Sequence, residues 1–411
     1  MPDFLTAQLE TDFAGFRPKE PDWLSRRRRE ARDRFRTRGF PTIDEEEWKY
    51  TPLDPVTRVP FRFSPALRPE FPSLPPLPDG AFVGGLAEGL SRFPELLERL
   101  LGGPASGVES PFAALNTAFL SDGVFLYLPR GTVVREPIFL VHRAPAGGQA
   151  SAAHPRTLIL LEAGSQAAVV ESYAGPSHPY LTNAVTEIVL GEDSVLEHTK
   201  LQEEGEEALH VGTLAVRQGR QSTFTSHSVS LGASFCRNDL DTRLEAEGAA
   251  CTLNGLYLAG GRQHVDNHTS IDHAAPRGTS QEIYKGILDG RATGVFNGRI
   301  VVRPSAAKTS ARQTNKNLLL SDDAVINTKP LLEIENNDVK CNHGATIGRL
   351  DENQVFYLRS RGLADREARG LLTYAFAGEL VRRIGLPSVR DRLQQTLFRR
   401  FAAGDPGEFA P

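Results

Sequence analysis

Cysteine is scarce: Cys236, Cys251 and Cys341 are the only three in 411 residues, and none forms a CxxC pair. An odd, sparse set of this kind excludes a disulfide framework and points to a reducing interior. No apolar stretch approaches the ~18 residues that span a bilayer, so no membrane segment is expected. The N-terminus, MPDFLTAQLETDF, carries acids where a signal or transit peptide carries basic residues. A cytoplasmic protein is expected. The phosphate loop GxxxxGKS/T, a GxGxxG turn after a strand, the GxSxG elbow and HExxH are all missing, which argues against ATP hydrolysis, dinucleotide binding and the common hydrolase chemistries. The formal net charge of -4 gives no general attraction to nucleic acid or an anionic membrane. One basic run, RRRREARDRFRTR from Arg26 to Arg38, interleaves Glu30 and Asp33 and has no aromatic stacking platform. It fits a solvated helix face better than a nucleic-acid site.

Proline and apolar spacing divide the rest into three regions, 1–122, 123–348 and 349–411. The first is helical, with a start signal at Glu20-Pro21-Asp22 and apolar anchors at Trp23, Leu24 and Phe35. Pro52, Pro55, Pro60, Pro65, Pro69, Pro72, Pro75, Pro76 and Pro78 then read as an extended linker, since each lacks an N–H and has φ fixed. Two short helices are expected near Phe93–Leu101 and Pro111–Leu120, each with proline in its first turn. From Val124 to Ile347 the chain becomes strand, tight polar turn, strand, as in LILLEAGSQAAVV from Leu158 and EIVLGEDSVLEH from Glu187. The turns recur about every 28 residues over four units, then more widely, a period that fits stacked coils of a β-solenoid. A β-sandwich of hairpins is the runner-up. The last region returns to helix. Leu371, Leu372, Ala375, Phe376, Leu380, Val381 and Ile384 recur at helical spacing, and Pro387 opens an amphipathic final helix.

The densest chemistry lies in NDVKCNHGATIGRL, Asn337 to Leu350. Cys341 and His343 are two apart, so on an extended strand they share one face and offer two ligands to iron or zinc. A closed tetrahedral site needs four, and on spacing alone a packed cysteine beside a hydrogen-bonded histidine explains the pair better. His264, Asp266 and His268 alternate in the same way. They fit the solvent face of a strand or an interface, with Val265 inward, better than a metal site. Cys236 and Cys251 read as core or edge residues, and Lys308 and Lys316 as parts of polar ladders on a solenoid face. Asp266, Asp272 and Asp289 would be the carboxylates of the competing reading, a β-helix polysaccharide-acting enzyme.

Long motifs decide among these readings. TSQEIYKGILDG (Thr279–Gly290), VFNGRIVV (Val295–Val302), AAKTSARQTNKNLLLS (Ala306–Ser321) and LEIENNDVKCNHGATIGRLDENQVFYLRSRG (Leu332–Gly362) resemble the SufB/SufD family of iron–sulfur cluster assembly. EEEWKYTPL near the N-terminus, the chain length, the missing YSTVQNW-like stretch and the few cysteines resemble its SufD branch. The resemblance implies a mainly β protein, a right-handed parallel β-helix flanked by N-terminal and C-terminal α-helical regions. It implies a non-catalytic scaffold that pairs with a SufB-like subunit through the β-helix and docks a SufC-like ATPase on the C-terminal helices. A homodimer of the isolated chain is left open. It further implies that no cofactor is held stably by the chain alone, and that a transient iron–sulfur cluster forms at the interface with SufB. The motif's histidine, His343, would then be a metal ligand shared with the partner; Cys341 matches the motif too, with its role undecided. Asn342 stands where serine is usual.

Overall fold

A computed structural model describes residues 3–16, 20–64, 69–102, 110–144 and 150–401. The chain opens on α1 (Asp3–Gly15) and α2 (Asp22–Arg38). It continues through α3 (Asp54–Thr57), β1 (Arg62–Phe63), β2 (Phe82–Gly85), α4 (Leu86–Arg92), α5 (Pro94–Leu100) and α6 (Pro111–Ala118). Strands then alternate between two sheets. The first holds β3 (Gly123–Leu128), β6 (Arg156–Leu161), β8 (Tyr180–Leu190), β10 (Leu209–Gln218), β12 (Phe235–Leu244), β14 (His264–His273), β16 (Thr293–Val302) and β18 (Val325–Ile334). The second holds β4 (Ile138–Arg143), β7 (Gln166–Ala174), β9 (Val195–Glu203), β11 (Thr223–Ser230), β13 (Ala250–Ala259), β15 (Thr279–Leu288), β17 (Ser310–Leu319) and β19 (Lys340–Gly348). A short β5 (Ser151–Ala153) bridges β1 and β8 at the margin of the first sheet. Helices α7 (Glu352–Ser360), α8 (Asp365–Val381) and α9 (Pro387–Phe401) close the fold.

Every ladder between these strands is parallel except β2 with β3, so the units are coils of a parallel β-solenoid and not the hairpins of a sandwich. The period has a physical cause at one corner. Gly164, Asp193, Gln221, Gly248, Arg277 and Lys308 all have positive φ, between 53° and 73°. Each donates its N–H to a carbonyl of the next coil, from Gly164 to Glu192 O through to Lys308 to Asp338 O. A left-handed residue must therefore recur once per coil, and four of the six are not glycine, each accepting the steric cost of that conformation. Lys308 is thus a corner residue, ion-paired with Asp338, while Gln313, Asn315 and Asn317 beyond it are buried inside the solenoid.

Side chains alternate between the lumen and the outside. Along β15, Ser280, Glu282, Tyr284 and Leu288 point inward, whereas Ile283, Lys285 and Ile287 meet the C-terminal helices. The lumen packs Leu140, Val169, Leu196, Phe224, Leu253 and Phe296, together with the buried Cys236 and Cys251. N-terminal residues Phe13, Phe35, Trp48, Phe112 and Phe119 cover Leu209, Val211 and Phe235 on the outer face of the first sheet. On the outer face of the second sheet, Ala377, Leu380, Val381, Leu393 and Leu397 cover Leu201, Leu256, Leu258 and Ile287.

The proline-rich stretch is not a free linker. Pro55 sits in the first turn of α3, Arg62 and Phe63 pair with β5, Glu70 bridges to Val141, and Phe71 and Leu77 pack on the lumen core. Proline blocks helix and central strand, but not edge pairing or side-chain packing. Pro65 lies outside the described residues. α5 and α6 fall where expected, with Pro94 and Pro111 in their first turns and Ser110 capping α6 by accepting from Ala113 N–H. β2 and α4 have no counterpart in the sequence reading. In α2, Arg28 is buried against Glu20 and the Ala118 carbonyl, and Arg27 donates to Leu101 and Glu98 carbonyls. Part of the arginine run therefore fastens the helix, and only part is a solvated face.

Candidate functional site

The last coil ends in two edge strands. β18 and β19 lie at the ends of their sheets, and among the described residues neither outer edge is paired. Lys340 N–H donates to Thr309 O at 2.9 Å. Residues of a parallel strand bond alternately to either side, so the N–H groups of Cys341, His343, Ala345 and Ile347 point away from β17. Edge strands this long and uncovered are pairing surfaces unless something blocks them.

Cys341 and His343 lie on one side-chain face of β19. Their register partners are Ala311 and Gln313, both buried in the lumen, so the pair continues lumen columns at the open end. Cys341 is half-buried against the lumen core, and that burial pushes its thiol above the ordinary cysteine range although the Ala311 backbone pulls it back. Its sulfur is therefore a protonated, weak ligand until something displaces the proton. His343 is exposed. Around them Ile326 and Leu332 are partly covered, and Ile334 and Ile347 are 44% and 50% exposed, giving the open end an apolar rim. Among the described residues no group of three or more His, Cys, Asp or Glu side chains is gathered so as to hold a metal ion.

The other candidates are placed elsewhere. His264, Asp266 and His268 do share the outer face of β14, but it is not a solvent face. The segment Glu46–Thr51 lies over it. Asp266 is fully buried, accepting from Thr51 Oγ1 at 2.6 Å and Arg237 Nη1 at 2.7 Å, and pairing with His268 Nε2 at 3.0 Å. His268 Nδ1 reaches Glu47 Oε2 at 3.0 Å, and the Arg237 guanidinium lies 3.8 Å over the Trp48 ring. Interface was the apt half of that expectation, and the interface is internal. Nor do the carboxylates of the enzyme reading meet in a cleft. Asp266 is sealed, Asp272 pairs with Arg303, and Asp289 accepts from Gly290 N–H. Sequence reasoning missed Glu282 and Gln313 behind His343. Their strand alternation was readable, but nothing local marks a buried carboxylate.

A family model described as the SUF system FeS cluster assembly SufBD core domain matches residues 142–376. The chain belongs to the SufBD family. A model of the SufBD protein N-terminal region matches residues 66–140. The core match runs from β4 into α8 and so spans the open end with Cys341 and His343. The iron–sulfur cluster assembly protein SufD of Escherichia coli is 31% identical over 90% of this chain and 90% of that protein. A SufBD family protein of Synechocystis is 38% identical over 73% of this chain and 68% of its own. The chloroplastic protein ABCI7 of Arabidopsis thaliana is 30% identical over 77% of this chain and 68% of its own. Among the described residues of this SufBD protein, no helix is long and apolar enough to cross a membrane.

Proposed function

We propose that this chain is a non-catalytic scaffold subunit of cytoplasmic iron–sulfur cluster assembly, paired with a SufB-like subunit through the open end of its solenoid. The two uncovered edge strands carry this reading, because they offer free N–H groups, an apolar rim and His343 on one surface. The likeness to a protein named SufD supports it. His343, with Cys341 beside it, supplies two donors at most, whereas a cluster takes four terminal protein ligands beside its own sulfides, so the others come from the partner. The cluster is cargo here. A site divided between chains opens when the chains move apart, without unbinding four ligands of one chain. Docking of a SufC-like ATPase on the C-terminal helices rests on Phe356 and Tyr357 of α7, 71% and 57% exposed, and Phe398 of α9, 49% exposed. Large apolar groups left uncovered on helices are common anchors for partners.

The test is Ala345→Pro. It deletes an outward N–H without touching the bonds from β19 to β17. Association with the SufB-like subunit falls while the melting temperature of the isolated chain stays within a few degrees. Unchanged association refutes edge pairing.

A further inference from the structure

Behind His343 the lumen column on the second sheet runs Glu282, Gln313, His343, each in register with the next. Gln313 is 1% exposed, and its Nε2 donates to Glu282 Oε2 at 2.7 Å. A carboxylate only accepts, so it fixes which end of the amide faces back into the solenoid. Gly298 on the facing sheet leaves room for that end, since a Cβ there would lie 2.3 Å from Gln313 Nε2. Burial raises Glu282 to about 7, with Thr269 and Gln313 pulling it down, so it is mainly ionised at pH 8. Gln313 Oε1 is buried and has no hydrogen-bond partner. Nε2 and Oε1 diverge from one carbon, so with Nε2 turned toward the preceding coil, Oε1 is on the side of the terminal coil. The next side chain in that column is His343, one strand spacing of ~4.8 Å away.

We propose that Gln313, anchored by Glu282, is a positioning residue for His343: its Oε1 accepts the hydrogen of one imidazole nitrogen and leaves the other bare as the donor to iron. The inference rests on the role of His343 proposed above. A ligating histidine needs its second nitrogen held, because that bond fixes the tautomer and the ring plane. The hydrogen bond also satisfies a carbonyl oxygen otherwise stranded. Gln313 never touches the cluster in this arrangement; it acts through the ring.

The test reads the tautomer in the isolated full-length chain, before any cluster is present. Long-range proton–nitrogen spectra of histidine-labelled protein at pH 8 are recorded, with His343 assigned by its loss in His343→Asn. Wild type shows one protonated and one bare ring nitrogen, and Glu282→Gln, whose amide can donate as well as accept and so no longer fixes which end of Gln313 faces the terminal coil, shifts toward averaging. Gln313→Leu, which removes the acceptor and keeps the lumen filled, gives two averaged nitrogens. Averaged signals in wild type, or an unchanged spectrum in Gln313→Leu, overturn the proposal. In the assembled complex, Gln313→Leu lowers affinity for Fe(II) about 10- to 100-fold with the subunits still associated. If His343→Ala leaves Fe(II) binding unchanged while the tautomer effect is present, the function of His343 fails and the hydrogen bond stands.

Discussion

The docking of the N-terminal segment should weaken as pH rises, through one histidine. His268 is sandwiched between Asp266 and Glu47, with Arg237 and Thr51 completing the cluster and His264 at its border. Burial alone would lower its pKa. The two carboxylates overcome this against the pull of Arg237 and raise it from 6.5 to about 9. At 1.36 kcal/mol per unit, that shift amounts to about 3 kcal/mol. Glu47 is largely exposed and screened, so most of it comes from the sealed Asp266. The folded pKa lies above the unfolded one. The stabilisation is therefore complete below about pH 6.5 and is lost as pH climbs through about 9. The assay is urea unfolding followed by Trp48 fluorescence in a Trp23→Phe chain, at intervals from pH 6 to 9.5, for His268 and for His268→Gln. Other titrating groups cancel in the difference. The gap between the two proteins should shrink by about 3 kcal/mol across that range. A gap independent of pH refutes the argument.

Two further outcomes probe the packing. Gly255→Ala places a Cβ 2.1 Å from Tyr284 Cε1 inside the lumen, and should cost about 1–3 kcal/mol in urea unfolding. A wild-type midpoint would mean that the Tyr284 ring swings aside freely. Lys285→Met keeps the buried stem but removes the Nζ that donates to the Phe376 carbonyl and pairs with Glu379. Amide exchange should quicken in α8 and not in β15, and equal protection in both proteins would show that apolar packing alone holds the helix.

The solenoid was legible because its constraint is local and repeated. Each coil needs a left-handed corner, and the turns AGS, GEDS, GRQS and EGA mark it in the sequence whether or not the residue is glycine. Helices α5, α6, α8 and α9 were legible from proline and apolar spacing. The fate of the His264–Asp266–His268 stripe was not, because period-2 alternation fixes a face and says nothing of what covers it. Its cover, Glu46–Thr51, lies more than 200 residues away in sequence. The proline-rich stretch misled for the same reason. Its backbone preferences were read correctly, yet Phe71 and Leu77 pack through side chains that proline does not affect. For Cys341 and His343, spacing gave the shared face, and only the fold placed that face at an open end.

The most direct measurement is the iron and sulfide content of the complex, assembled anaerobically from this chain, a SufB-like subunit and a SufC-like ATPase. Wild type should co-purify with both partners and carry iron and sulfide, while His343→Ala should form the same complex and lose most of both. Unchanged iron and sulfide in His343→Ala, or a wild-type chain that associates with neither partner, would contradict the account.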